Sequence, residues 1–139
     1  MSLFSAIDVA STALDAQTAR LNTISSNLAN ANTVSSSADG AYRAQHVVFQ
    51  TMYDDAMGDS QGINAGVKVT DVMLSDLPAK REYAPAHPMA NEDGFIYRST
   101  VNSVEEMANM IEASRSYQSS VEAMNTAKQL IMRTLTLGR

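Results

Sequence analysis

The side chains best suited to chemistry in this sequence are two histidines, His46 and His87, and a few carboxylates: Asp54-Asp55 with Asp59, and Asp93 before Gly94. An imidazole pair holds zinc on a helix when the two lie four residues apart and a further ligand completes the shell. His46 and His87 lie far apart in the chain, and cysteine is absent. The acidic clusters lack the oxygen-rich loop with its fixed glycine that calcium sensors use, and Asp93-Gly94 is the chemistry of a turn. Serines are abundant, yet none sits in a Gly-x-Ser-x-Gly elbow, and no glycine-rich phosphate loop ends in lysine. No catalytic, cofactor-binding or metal-ligating residue is therefore assigned, no cofactor is implied, and the chain is expected not to be an enzyme.

Composition narrows the partners. The chain has 139 residues, a net charge of -5 and a pI near 4.8. Its ten Lys and Arg are scattered, so no basic stripe is available to displace counterions from phosphates, and nucleic acid is not expected as a partner. Charged residues make up only 18 %, below the roughly 25 % of soluble domains; Ala, Ser, Asn and Thr take their place. The first residues, Met1 to Asp8, contain no Lys or Arg and reach an Asp early. They do not resemble a cleaved secretory signal. No apolar run approaches the roughly 20 residues needed to span a bilayer, so direct membrane insertion is not expected.

Three zones position whatever function remains. In the first, residues 1–33, Leu3, Ile7, Ala10, Leu14, Gln17, Leu21, Ile24, Leu28 and Ala31 follow the alternating three-and-four spacing of a coiled-coil seam. Only Gln17 interrupts it, and neither Gly nor Pro intervenes, which predicts a helix from about Leu3 to Ala31. The third zone, residues 102–139, repeats the pattern in Met107, Met110, Ser114, Tyr117, Val121, Met124, Lys128, Ile131 and Leu135, predicting a helix from about Val104 to Leu137. Ser103 with Glu106, or Asn102 with Glu105, supplies a capping box, and Gly138 stands where a helix-ending glycine belongs. The middle zone, residues 34–101, holds all three prolines and every other glycine. Val47-Val48-Phe49 is β-prone, Gly66 to Val72 alternates with period two, Asn91 to Gly94 reads as a turn, and Phe95-Ile96-Tyr97 reads as a short strand. Between these, Pro78, Pro85 and Pro88 forbid long regular structure. Whether this zone forms a hairpin or a looser extended segment is left open by the pattern.

The fold class expected is thus mainly α. Long N- and C-terminal helices pack as an elongated, coiled-coil-like pair, with a small extended or β insert between them. Such helices are roughly 40 and 50 Å long, whereas a compact domain of this size measures about 37 Å across. The remaining residues cannot wrap them. The first helix carries only Asp8, Asp15 and Arg20 as charges, and its off-seam positions, among them Ser11, Ala16, Ser26, Asn27 and Ala29, are small and uncharged. Such a face costs little to desolvate and lets other helices approach closely. The expected assembly interface comprises Leu3, Ile7, Leu14, Leu21, Ile24 and Leu28, with Met107, Met110, Tyr117, Val121, Met124, Ile131 and Leu135. The alternative is an autonomous coiled-coil module that docks a partner helix.

The two terminal segments carry a signature as well. Ala13-Leu14-Asp15-Ala16-Gln17-Thr18-Ala19-Arg20-Leu21-Asn22-Thr23-Ile24-Ser25-Ser26-Asn27-Leu28-Ala29-Asn30 and the stretch from Val104 to Gln118, continued by Asn125-Thr126-Ala127-Lys128 and Thr134 to Gly138, resemble the terminal motifs of the flagellar rod and hook axial proteins. Tyr42-Arg43-Ala44, Val47-Val48-Phe49-Gln50, Tyr83-Ala84-Pro85 and His87-Pro88-Met89-Ala90 resemble the central motifs of its short proximal-rod members. Residues 53–64 match nothing in that pattern. The resemblance implies a structural subunit of the bacterial flagellar basal body, located in the periplasmic rod. It also implies type III export without a cleaved signal peptide, followed by folding on assembly. The implied partners are other copies of the chain, other rod subunits, basal-body ring or base proteins and, transiently, the export apparatus.

Overall fold

A computed structural model describes residues 3–53 and 65–137, and side chains for slightly fewer of them. The first helix, α1, spans Leu3–Asn30 and the last, α2, spans Ser103–Leu137. Between them lie β1 (Val34–Ser35), β2 (Gln45–Tyr53), β3 (Ala65–Leu74), β4 (Lys80–Tyr83) and β5 (Phe95–Arg98). All strand pairing is antiparallel: β2 with β3 as a hairpin, and β1-β5-β4 as a three-stranded sheet. The choice left open for the middle zone is therefore settled in favour of a hairpin, accompanied by a second small sheet. Asp54, Asp55 and Asp59, like the capping role of Gly138, lie outside the described residues.

The helices run antiparallel and make the most extensive contact of any two elements. Their register is marked by Arg20, whose guanidinium lies 3.4 Å from the Glu112 carboxylate. At the start of α2 the capping choice falls on Asn102, whose Oδ1 accepts from the Val104 amide and whose carbonyl accepts from the Glu106 amide. Glu105 and Glu106 fill the first turn, where the exposed amides and helix dipole favour negative charge.

What lies between the helices differs from the leucine seam. The most buried side chains of α1 are Ser5, Ala16, Ile24 and Asn27, and those of α2 are Glu106, Ala113 and Ala127. Ala16 and Asn27, which the periodicity assigns to the outward face, are inside. Because α2 packs against no described element but α1, Ala113 and Ala127 line the contact between the helices, whereas Ser5, Ala16 and Asn27 share the side of α1 on which Thr12 and Asn27 bond the hairpin. The bulkier Ile7, Leu14, Leu21 and Leu28 are partly buried.

Asn27, 1 % exposed, joins the helices to the rest. Its Nδ2 donates to the Gln45 carbonyl at 2.8 Å, and its Oδ1 accepts from the Gln45 amide at 2.9 Å and from the Tyr42 hydroxyl at 3.1 Å. The amide side chain thereby pairs with the first residue of β2 as a neighbouring strand would. The same bend is held from the other side. The Ala44 amide donates to Thr100 Oγ1, the Thr100 amide to the Tyr42 carbonyl, and the Ser75 amide to the Ala44 carbonyl. Ala41, Ala44, Ile96, Ser99, Thr100 and Val101 are buried around it. This junction is the chief core of the molecule.

From the junction the hairpin runs back along α1. Its far end is fixed where the Val67 amide donates to Thr12 Oγ1 at 3.2 Å, and Gly66 lies close enough that a Cβ there would meet Thr12 Oγ1 at 3.2 Å. The period-two pattern holds through Val67 and Val69. A bulge at Thr70 then shifts the pairing, from Phe49 with Val69 to Val48 with Asp71, and Val72 emerges 44 % exposed. The strand β4 was not legible from its sequence. It lies between two of the prolines and is exposed throughout, held by the edge-to-face contact of Tyr83 with Phe95 at 5.2 Å and by Arg81 stacked over the Phe95 ring at 4.5 Å. Gly94, at a φ of +79°, closes the Asn91–Gly94 turn.

Two buried oxygens among the described residues have no hydrogen-bond partner: Gln17 Oε1 and Glu106 Oε2. Gln17 also interrupts the seam. We predict that Gln17→Leu raises the stability of the chain by about 1 kcal/mol in urea melts, because an unpaired buried polar group costs about 1–3 kcal/mol. Asn27→Ala leaves both Gln45 main-chain groups without partners. It should lower stability by about 2–4 kcal/mol in the same melts and expose the Gln45 amide to rapid exchange.

Candidate assembly surfaces

Much of the apolar surface of α2 stays accessible. On α2, Val104, Met107 and Ile111 are 70, 47 and 59 % exposed. At i, i+3 and i+7 they form one outward line. The end of the same helix exposes Leu130, Met132 and Leu135. Of the interface residues expected from sequence, Met107, Tyr117 and Leu135 are exposed, whereas Met110, Val121, Met124 and Ile131 are partly buried. On α1, Ile24 is buried; Ile7, Leu14, Leu21 and Leu28 are partly buried; the Leu3 side chain lies outside the described ones. Thus one part of the expected set is buried or partly buried within the subunit and another part is exposed.

Val104, Ile111, Leu130 and Met132 were absent from the expected interface. Reading a single three-and-four stripe along α2 passes over apolar residues on its flank. The signal was present in the sequence as a second, shorter line beginning at Val104. The hairpin also exposes apolar side chains, with Phe49, Met52, Val72, Met73 and Leu74 all more than a third exposed.

Where α1, β2 and the first turns of α2 meet, a cleft of about 340 Å³ opens. Ile24, Val47 and Phe49 form its apolar wall, and Arg20, His46, Glu105, Glu106 and Asn109 its polar one. Glu106 is 5 % exposed, and its Oε2 is buried without a hydrogen-bond partner among the described residues. Arg20 is held by Glu112. The second histidine is elsewhere: His87 Nδ1 accepts from the Met89 amide at 3.1 Å in the proline-rich turn. No described helix is long and apolar enough to cross a membrane.

The comparisons with known proteins fall on the same elements. A family described as "Flagella basal body rod protein" matches residues 7–34, most of α1, and one described as "Flagellar basal body rod FlgEFG protein C-terminal" matches residues 92–137, from the Asn91 turn through α2. The flagellar basal-body rod protein FlgC of Salmonella typhimurium is 45 % identical over 139 residues, covering 100 % of both chains. That of Yersinia enterocolitica is 41 % identical over the same length, again covering 100 % of both. The FlgC of Borreliella burgdorferi is 35 % identical over 149 residues, covering 99 % of this chain and 98 % of its own. Similarity of this degree over the full length places the chain in the FlgC family of flagellar basal-body rod proteins.

Proposed function

We propose that the chain is a structural subunit of the flagellar basal-body rod, and that it assembles by burying the outward faces of its two helices against helices of adjoining subunits. The observation that carries this reading is the exposed apolar residues at both ends of α2, Val104, Met107 and Ile111 near its start and Leu130, Met132 and Leu135 in its last turns, on a helix of about 52 Å. Burying a Leu or Met side chain contributes about 1.5–3 kcal/mol, so a few such residues in contact hold a subunit in place. The family membership supplies the setting.

In this reading the helices pack in a coiled-coil-like manner only within the rod, the molecule is elongated along them, and the middle zone lies outside. The chain reaches the periplasm unfolded, by type III export. A core built from alanine, serine and threonine is easily unfolded for that passage and regained afterwards from neighbours. Its partners are other copies, other rod subunits, and ring or base proteins at the rod's foot, with the export apparatus engaged in transit. Its role is mechanical, transmitting torque through packing, with no catalytic step.

Exposed positions test the reading with little disturbance of the isolated subunit. Met107→Asp and Leu135→Asp should each leave the melting temperature of the purified chain within about 3 °C, since surface changes shift stability by about 0.5 kcal/mol. Each should nevertheless abolish swimming and rod assembly while export continues. Normal swimming by both variants would remove the proposed helix interface.

A further inference from the structure

The sequence has nine methionines and no cysteine, so thioether sulfurs are the softest nucleophiles that a peroxide meets on this chain. Among the described residues, Met132 is 58 % exposed and Met73 56 %, with Met107, Met89 and Met52 less so. Met52 and Met73 lie on the hairpin and Met89 in the proline-rich turn. Met107 and Met132 lie on the parts of α2 proposed for assembly.

Met132 differs from Met107 in its neighbours. It sits in a shallow groove on α2 with Asn125, Lys128, Gln129 and Arg133. Lys128 and Gln129, at i−4 and i−3, stand beside it on one helix face. All four of these side chains carry N–H donors, and neither cation forms an ion pair among the described residues. Met107 is instead in line with Val104 and Ile111, which offer no donor.

A thioether ringed by donors is suited to hold the product of its own oxidation. A lone pair of the Met132 sulfur attacks the terminal oxygen of a hydroperoxide, and the S–O bond forms as the O–O bond breaks. The proton on the transferred oxygen passes to the departing alkoxide or hydroxide, which leaves as alcohol or water. The sulfur is oxidised by two electrons and the peroxide is reduced by two. The new sulfoxide oxygen is an acceptor within reach of the Lys128 ammonium, the Gln129 amide and the Arg133 guanidinium.

We infer that Met132 is a site of oxidation by hydroperoxides, and that its sulfoxide bars an unassembled subunit from the rod. The inference rests on the assembly reading, in which neighbours cover the last turns of α2. A sulfoxide bonded to charged neighbours has to be desolvated together with them before that face is buried. Once covered, the sulfur is out of reach of the oxidant.

The test uses cells that carry the chain as their rod subunit and begin to make it only after hydrogen peroxide is added. Met132 and Met73 are quantified by peptide mass spectrometry in the unassembled chain and in purified basal bodies from the same culture. Met132 sulfoxide should be at least about fivefold scarcer in the rods than in the unassembled chain. Met132→Leu, which keeps an apolar side chain there, should raise the yield of rods under peroxide by about the same factor. Equal sulfoxide at Met132 in both fractions would overturn the inference, as would a Met132 that stays reduced in the unassembled chain while Met73 is oxidised. A rod yield under peroxide that Met132→Leu does not raise overturns it too. These outcomes leave the helix interface standing, because Met107→Asp and Leu135→Asp test that interface without any oxidant.

Discussion

One amide side chain sets the arrangement of this molecule. Asn27 reaches from α1 to both main-chain groups of Gln45, and through that residue it fixes where the hairpin begins and in which direction it runs. Tyr42 bonds to the same Asn27 oxygen and to Ser26, and the Thr100 amide bonds back to the Tyr42 carbonyl. The end of the first helix, the start of the hairpin and the approach to the second helix thus meet at one point. Hydrogen bonds hold this junction more than apolar bulk does: apart from Ile24, Ile96 and Val101, the buried residues are small or polar.

A core of that kind has a consequence for the helices. Contact through Ala113 and Ala127 of α2 buries little area per residue, while Val104, Met107, Ile111, Leu130, Met132 and Leu135 of the same helix remain exposed. Stability proportional to apolar burial is then modest for the isolated subunit and grows when neighbours cover the remaining faces. In the proposed reading, the same distribution makes the subunit easier to unfold for export and leaves the larger side chains for contacts between subunits.

Much of this architecture was legible in the sequence. The helix limits follow from unbroken three-and-four spacing without Gly or Pro, and the hairpin strands from Val47-Val48-Phe49 and the alternation after Gly66. The turn at Asn91 to Gly94 follows from its residue types. Other features had no local signature. β4 is four exposed residues, Lys80–Tyr83, stabilised by ring contacts with a segment distant in sequence. β1 is two residues long. An asparagine in a helix reads as surface, and its burial is decided by a strand that begins far along the chain. The faces proposed for assembly were half legible: the stripe of large residues is apparent, but which of them are covered within the subunit depends on elements distant in sequence.

The central claim is that the helices are completed by neighbours, and residue-resolved amide hydrogen exchange of the dilute, purified chain tests it most directly. The account predicts protection concentrated at the Asn27–Gln45 junction and the hairpin. Exchange should be rapid over most of α1 and α2, and strongly slowed at the same amides in assembled rods. Strong, uniform protection of both helices in the monomer, unchanged on assembly, would contradict it and mark a self-sufficient helix pair.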